Sequence, residues 1–242
     1  MLVLILCSFV SPVLATEETP IDSTKIGITD HAGALLPLDV EFSNEKGETV
    51  SLKSFFNGTK PVIVALVYYE CPNLCSLLLK GLTDSLKQMS WKVGNQFEIV
   101  TVSIDPSDTK QLALKKKKAI LKEYGHQEEA VANEWHFLTG TQENIQKLAD
   151  ALGFGFQYDT QEKQFVHAAG LFVVTPNGKI FRTLYGASFN PRDLTSTLLD
   201  AGEGKVGNWV DKFLNFLFKY DSIERKYKLN VGAIHELPLH YR

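Results

Sequence analysis

A continuous apolar run from Val62 to Tyr69 ends at Cys71, and a helical repeat of leucines begins at Leu74. No other stretch restricts the fold as tightly. Val62-Ile63-Val64-Ala65-Leu66-Val67-Tyr68-Tyr69 is β-branched and aromatic without polar alternation, as in a central strand buried on both faces. Leu74, Leu77, Leu78, Leu82 and Leu86 then recur at helical spacing as far as Met89. This predicts strand, sharp turn and helix, with Cys71 and Cys75 at the junction.

Further elements follow in order. Phe97 to Ile104 reads as a second buried strand, ended by Asp105-Pro106. Thr109 to Tyr124 reads as a helix closed by Gly125, and Trp135-His136-Phe137-Leu138 as a short strand. Thr141-x-x-Asn144 opens a helix that runs to Leu152 and stops at Gly153. Pro176-Asn177-Gly178 between the apolar runs Leu171–Thr175 and Lys179–Tyr185 is a strong hairpin signal. Pro191 to Ala201 gives a last helix with proline in its first turn. Upstream, short runs around Asn44-Glu45-Lys46-Gly47 predict an N-terminal β-hairpin. The order β-α-β-α-β-α-β-β-α behind a hairpin predicts an α/β, thioredoxin-like fold over residues 30–205. From Val206, the residues Trp209 to Phe218 predict a short aromatic-rich helix, followed by a polar, turn-like tail to Arg242.

Composition narrows the functional classes. A hydrophobic share of 44% with 22% charged residues excludes a disordered chain. The net charge of −3 supplies no basic field for nucleic acid. The run Lys115-Lys116-Lys117-Lys118 reads as a solvated helix face. Residues Leu2 to Leu14 are apolar but too few to span a bilayer. With Val13-x-Ala15 before the polar run from Thr16, they predict a signal peptide over residues 1–15, cleaved after Ala15. Export would place the chain in an oxidising compartment such as a bacterial periplasm. Of the three cysteines, Cys7 falls in that segment, so Cys71 and Cys75 stand as an isolated pair and no disulfide framework exists.

In Cys71-x3-Cys75, four residues of helix place both sulfurs on one face. The helix N-terminus, with its free N–H groups, favours thiolate there. Two thiolates suit Cu(I), and an imidazole suits either copper state. His167, in the loop expected before the Leu171 strand and followed by Ala168-Ala169-Gly170, is the best third ligand. His31, His126, His136, His235 and His240 are weaker candidates. A metal-free redox pair is the alternative for the cysteines. A peroxide-reducing site would need an arginine beside the thiol, and Arg182 is the nearest in sequence. Asp105 at the end of the second strand is expected either to orient a ligand or to cap the Thr109 helix.

Several motifs in order resemble the Sco/SenC family of cytochrome c oxidase assembly factors. They are Val67-Tyr68-Tyr69-Glu70-Cys71-Pro72-Asn73-Leu74-Cys75, Val102-Ser103-Ile104-Asp105-Pro106, Trp135 to Gly140, and His167 with Val173 to Gly178. The chain departs from commoner family residues at Asn73, Ser76 and Val166. The resemblance implies a thioredoxin fold and one copper ion on Cys71, Cys75 and His167. It implies delivery of that ion to the dinuclear copper centre of oxidase subunit II, with reduction of the target's cysteines as a further activity. It also implies membrane association at the periplasmic face of a bacterial inner membrane, a copper donor and a thiol reductant. A thiol–disulfide oxidoreductase acting on exported partners is the competing expectation.

Overall fold

In the computed structural model the described residues are 21–71, 74–126, 128–204, 218–221 and 226–229. The expected signal peptide and the expected helix up to residue 217 lie outside them. The chain opens with strands β1 (Gly27–Ile28), β2 (Glu41–Ser43), β3 (Thr49–Ser51) and β4 (Val62–Val67). Helix α1 (Leu74–Gln88), β5 (Glu98–Ser103), α2 (Lys110–Tyr124) and α3 (Glu129–Glu134) follow. Next come β6 (Trp135–Leu138), α4 (Gln142–Leu152), β7 (Phe154–Asp159) and β8 (Gln164–His167). The series closes with β9 (Gly170–Val174), β10 (Ile180–Tyr185), α5 (Pro191–Gly202), β11 (Phe218–Asp221) and β12 (Lys226–Leu229).

The central sheet has the order β10-β9-β4-β5-β6. β4, β5 and β6 run parallel, while β9 and β10 are antiparallel to their neighbours. Every residue of β4 and of β5 is buried, as central strands covered on both faces require, with Glu98, Thr101 and Ser103 of β5 among the buried polar groups. α1 packs on α2 and α5, α2 on β6, and α5 on β9. With the β2–β3 hairpin in front, this is the expected thioredoxin-like layout.

The ends of the helices follow local chemistry. Thr109 accepts from the Leu112 N–H and Thr141 from the Asn144 N–H, each satisfying a first-turn donor. Gly125 and Gly153 then close those helices in the left-handed region, at φ 81° and 67°. Asn190 caps α5 ahead of Pro191.

Four features differ from the sequence reading. α3, β1 and the antiparallel β7–β8 hairpin are additional elements. His167 is the last residue of β8, not a loop residue. Lys117 is buried in an ion pair with Glu45, so the lysine run is not uniformly a solvated face. Phe218 belongs to a strand, because Phe218–Asp221 and Lys226–Leu229 alternate with period two and pair antiparallel within the expected tail.

At the amino end of the parallel strands, the register Ile99↔Trp135 sets Glu98 beside Glu134. Lys60 lies 3.9 Å from Glu98 and 3.7 Å from Glu134. Burial, reinforced by the Glu134 charge, pushes the Glu98 carboxyl up to about 7 against the pull of Lys60. Between its ordinary range and that value, the folded chain holds a proton that the unfolded chain has released. The stability this contributes is complete in acid and is lost as pH rises towards 7. Glu98→Gln is therefore expected to flatten chemical-denaturation stability over this interval and to stabilise the chain at pH 8 by about 2 kcal/mol. An unchanged pH slope would contradict the burial argument.

Candidate metal centre

The loop after β4 folds back on itself around the first cysteine. The Cys71 N–H donates to the Tyr68 carbonyl at 3.2 Å. Cys75 is the second residue of α1, and its N–H donates to Cys71 Sγ at 3.3 Å. The Tyr68 N–H donates to Cys75 Sγ at 3.5 Å. Backbone donors therefore hold both sulfurs where a strand runs into a helix.

The β7–β8 hairpin brings in the third group. Phe156 pairs with His167 in the ladder, which fixes the histidine's height along β8. His167 Nδ1 lies 2.7 Å from the Ala168 carbonyl. A carbonyl can only accept, so Nδ1 carries the proton. Nε2 keeps its lone pair and faces Cys75 Sγ at 3.1 Å. Ligand atoms of Cys71, Cys75 and His167 all lie within 4.8 Å of one another. An imidazole with its tautomer fixed by a backbone acceptor is prepared to ligate through the other nitrogen.

All three groups are buried. Cys75 is 0% exposed, His167 5% and Cys71 8%. Phe154 lies 5.7 Å from the His167 ring and Tyr68 meets that ring edge-on at 6.0 Å. Leu77, part of the expected apolar stripe, is 57% exposed, while the buried stripe of α1 runs through Cys75, Leu78, Leu79, Leu82 and Leu86.

Burial, followed by the hydrogen bond and charge of Cys71, pushes the Cys75 thiol well above its ordinary range despite the Tyr68 N–H. The expected gain of thiolate at a helix N-terminus is thus outweighed at Cys75 by desolvation. A soft S,S,N donor set in a buried pocket fits Cu(I), and binding there must displace the Cys75 proton.

Asp105 accepts from the N–H and hydroxyl of Ser107 and closes a turn, and the cap of α2 is Thr109. The carboxylate that steadies the cysteine loop is Asp108, which accepts from the Tyr69 N–H at 2.8 Å and the Ser103 hydroxyl at 2.5 Å. No sequence signal separates these two aspartates. Arg182 binds Asp193 and Thr197 of α5. His31 bonds the Ala151 carbonyl and His126 lies against Glu128 and Lys92. His136 sits near Glu98 and Glu134, the carboxylates that Lys60 already faces, and burial pushes its imidazole down to about 4. His235 and His240 lie outside the described residues. No helix among the described residues is long and apolar enough to cross a membrane.

Known proteins share this arrangement of chain. A Bacillus subtilis SCO1 protein homolog is 26% identical over 155 residues, spanning 63% of this chain and 75% of that protein. A solved Aquifex aeolicus VF5 protein superposes with a TM-score of 0.59 at 28% identity, covering 72% of this chain and 95% of its own. The Arabidopsis thaliana ScoI structure, solved with copper bound, shares the fold at TM-score 0.55 and 20% identity, over 72% of this chain and 98% of that one. The SCO1/SenC family profile matches from residue 32 to residue 201, nearly the whole span from the N-terminal hairpin to α5. On that match the chain belongs to the SCO1/SenC family.

Proposed function

We propose that the chain binds one copper ion through Cys71, Cys75 and His167 and transfers it to the dinuclear copper site of cytochrome c oxidase subunit II during assembly. The observation that carries this reading is the convergence of two sulfurs and one lone-pair nitrogen within 4.8 Å in a buried pocket. Three soft donors satisfy Cu(I) while leaving room for a donor from the receiving protein, so the ion can pass by ligand exchange. Transfer takes place on the exported side of a membrane, where the expected signal peptide would deliver the chain.

Anaerobic titration of the reduced chain against a competing Cu(I) chelator tests this reading. The chain is expected to hold one equivalent, and His167→Ala to weaken it by at least about a hundredfold, beyond the loss usual for an outer-shell partner. Unchanged affinity in the variant would remove His167 from the site.

The contact between two cysteines that form no disulfide favours thiol–disulfide exchange as a second reading. Here the chain's two thiols become a disulfide while a partner's disulfide is reduced to two thiols. His167→Ala would leave that activity largely intact.

A further inference from the structure

The amino end of the central sheet carries a second set of donors, at the far end of β4 from Cys71. The six residues of β4 span about 20 Å. Trp135 turns to one face of β6, where its Nε1–H donates to the Thr101 hydroxyl at 3.1 Å. Glu134 and His136 flank it and so project to the other face. Glu98 shares that face, because Ile99 pairs with Trp135 in the parallel ladder. Ligand atoms of Glu98, Glu134 and His136 all lie within 4.8 Å of one another. Lys60 faces the two carboxylates but gives its short contact to the Gly94 carbonyl, at 2.6 Å. Its ammonium stays 3.9 Å from Glu98 and 3.7 Å from Glu134, beyond hydrogen-bond length. The His136 ring packs on Phe55 with centroids 4.5 Å apart, and among the described residues no hydrogen bond reaches its nitrogens.

Glu98 is 5% exposed, and a buried carboxylate converging on an unbonded imidazole calls for a shared partner. We propose that Glu98, Glu134 and His136 bind one divalent transition-metal cation of the zinc class, which displaces the Lys60 ammonium. Two carboxylates and an imidazole suit such an ion, whereas Cu(I) prefers the sulfurs at the other end of the sheet. Donors about 2.1 Å from one zinc ion lie about 3.4 Å apart in tetrahedral geometry, so side-chain shifts of about 1 Å complete the set. The ion would tie β5 to the junction of α3 and β6. None of its three ligands is a copper ligand, so the proposal stands or falls independently of the copper reading.

Zinc(II) with a competing chelator is the probe, on the full chain carrying Cys71→Ser and Cys75→Ser so that the two sulfurs take none of it. This thiol-free parent is expected to bind one equivalent, and zinc to raise its thermal unfolding midpoint. Glu134→Gln, at a part-exposed carboxylate, is expected to weaken that binding at least about a hundredfold and to abolish the rise. His136→Asn is a second ligand variant with the same expected loss, and it decides the matter if Glu134→Gln fails to fold. Lys60→Met is expected to tighten binding about tenfold, because a positive charge leaves the site. No zinc in the thiol-free parent, or zinc that both ligand variants retain, overturns the site. A Lys60→Met chain that binds zinc no more tightly than its parent overturns the displacement of Lys60.

Discussion

Glu45→Ala is expected to lower the free energy of unfolding by about 3–5 kcal/mol, the cost of stranding a buried charge. Glu45 sits in the β2–β3 turn and is itself buried. One carboxylate oxygen accepts from the Lys117 ammonium on α2, and the other accepts from the Phe137 N–H of β6 at 3.2 Å. A single side chain therefore joins the hairpin, a helix and an edge strand. Burial raises its carboxyl, but the hydrogen bond and charge of Lys117 outweigh this and leave it below the ordinary range. Its contribution is present above that ordinary range and fades as pH falls through the lowered value. Truncation leaves Lys117 buried without its counter-charge. Replacing both members, as Glu45→Leu with Lys117→Met, is expected to recover most of the loss, because two apolar groups need no partner. Urea unfolding with a constant m-value measures both effects. A loss under about 1 kcal/mol in the single variant would mean the pair is as weakly coupled as an exposed one.

Copper affinity is expected to rise about tenfold per pH unit, or about a hundredfold from pH 7 to 9. Cys75 ligates as thiolate, yet burial holds its thiol well above the ordinary range in the metal-free chain. Each copper ion that binds must expel at least this proton, and a released proton appears directly in the pH slope of affinity. Chelator competition at several pH values, corrected for the chelator's own protonation, gives the slope. A flat profile would mean that the thiolate is already formed before copper arrives and that the helix N-terminus prevails over desolvation at this sulfur.

That contest shows where sequence reading succeeds and where it stops. β4 was legible because a strand buried on both faces favours an unbroken apolar run, and β5 because its β-branched residues end at Asp105-Pro106. α2 and α4 were legible because a threonine cap and a left-handed glycine mark their ends with local chemistry. The β7–β8 hairpin was not, since most of its residues are only partly buried and no clean alternation results. α3 was missed because Glu128 provides no side-chain cap ahead of six helical residues. Residue type and spacing singled out Cys71, Cys75 and His167, which the fold brings together, but the thiol's state depends on burial that spacing does not encode. Asp108 and Lys117 were overlooked for the same reason. Each is distinguished from its neighbours only by which partner lies across the fold.

Cys75 and His167 stand 92 residues apart in the chain. As the polypeptide is made from its N-terminus, both thiols emerge well before the imidazole that would complete the set. A chain made in that order presents a pair of sulfurs first and a complete three-ligand cradle only after the β7–β8 hairpin has formed. An ion seated in that cradle closes the long intervening segment into a ring, so opening the fold must first surrender the metal. Free copper at about a hundred times its dissociation constant would add about 2.7 kcal/mol to the stability of the chain. Retention of the ion by all three groups thus reports a chain folded at least as far as the β7–β8 hairpin.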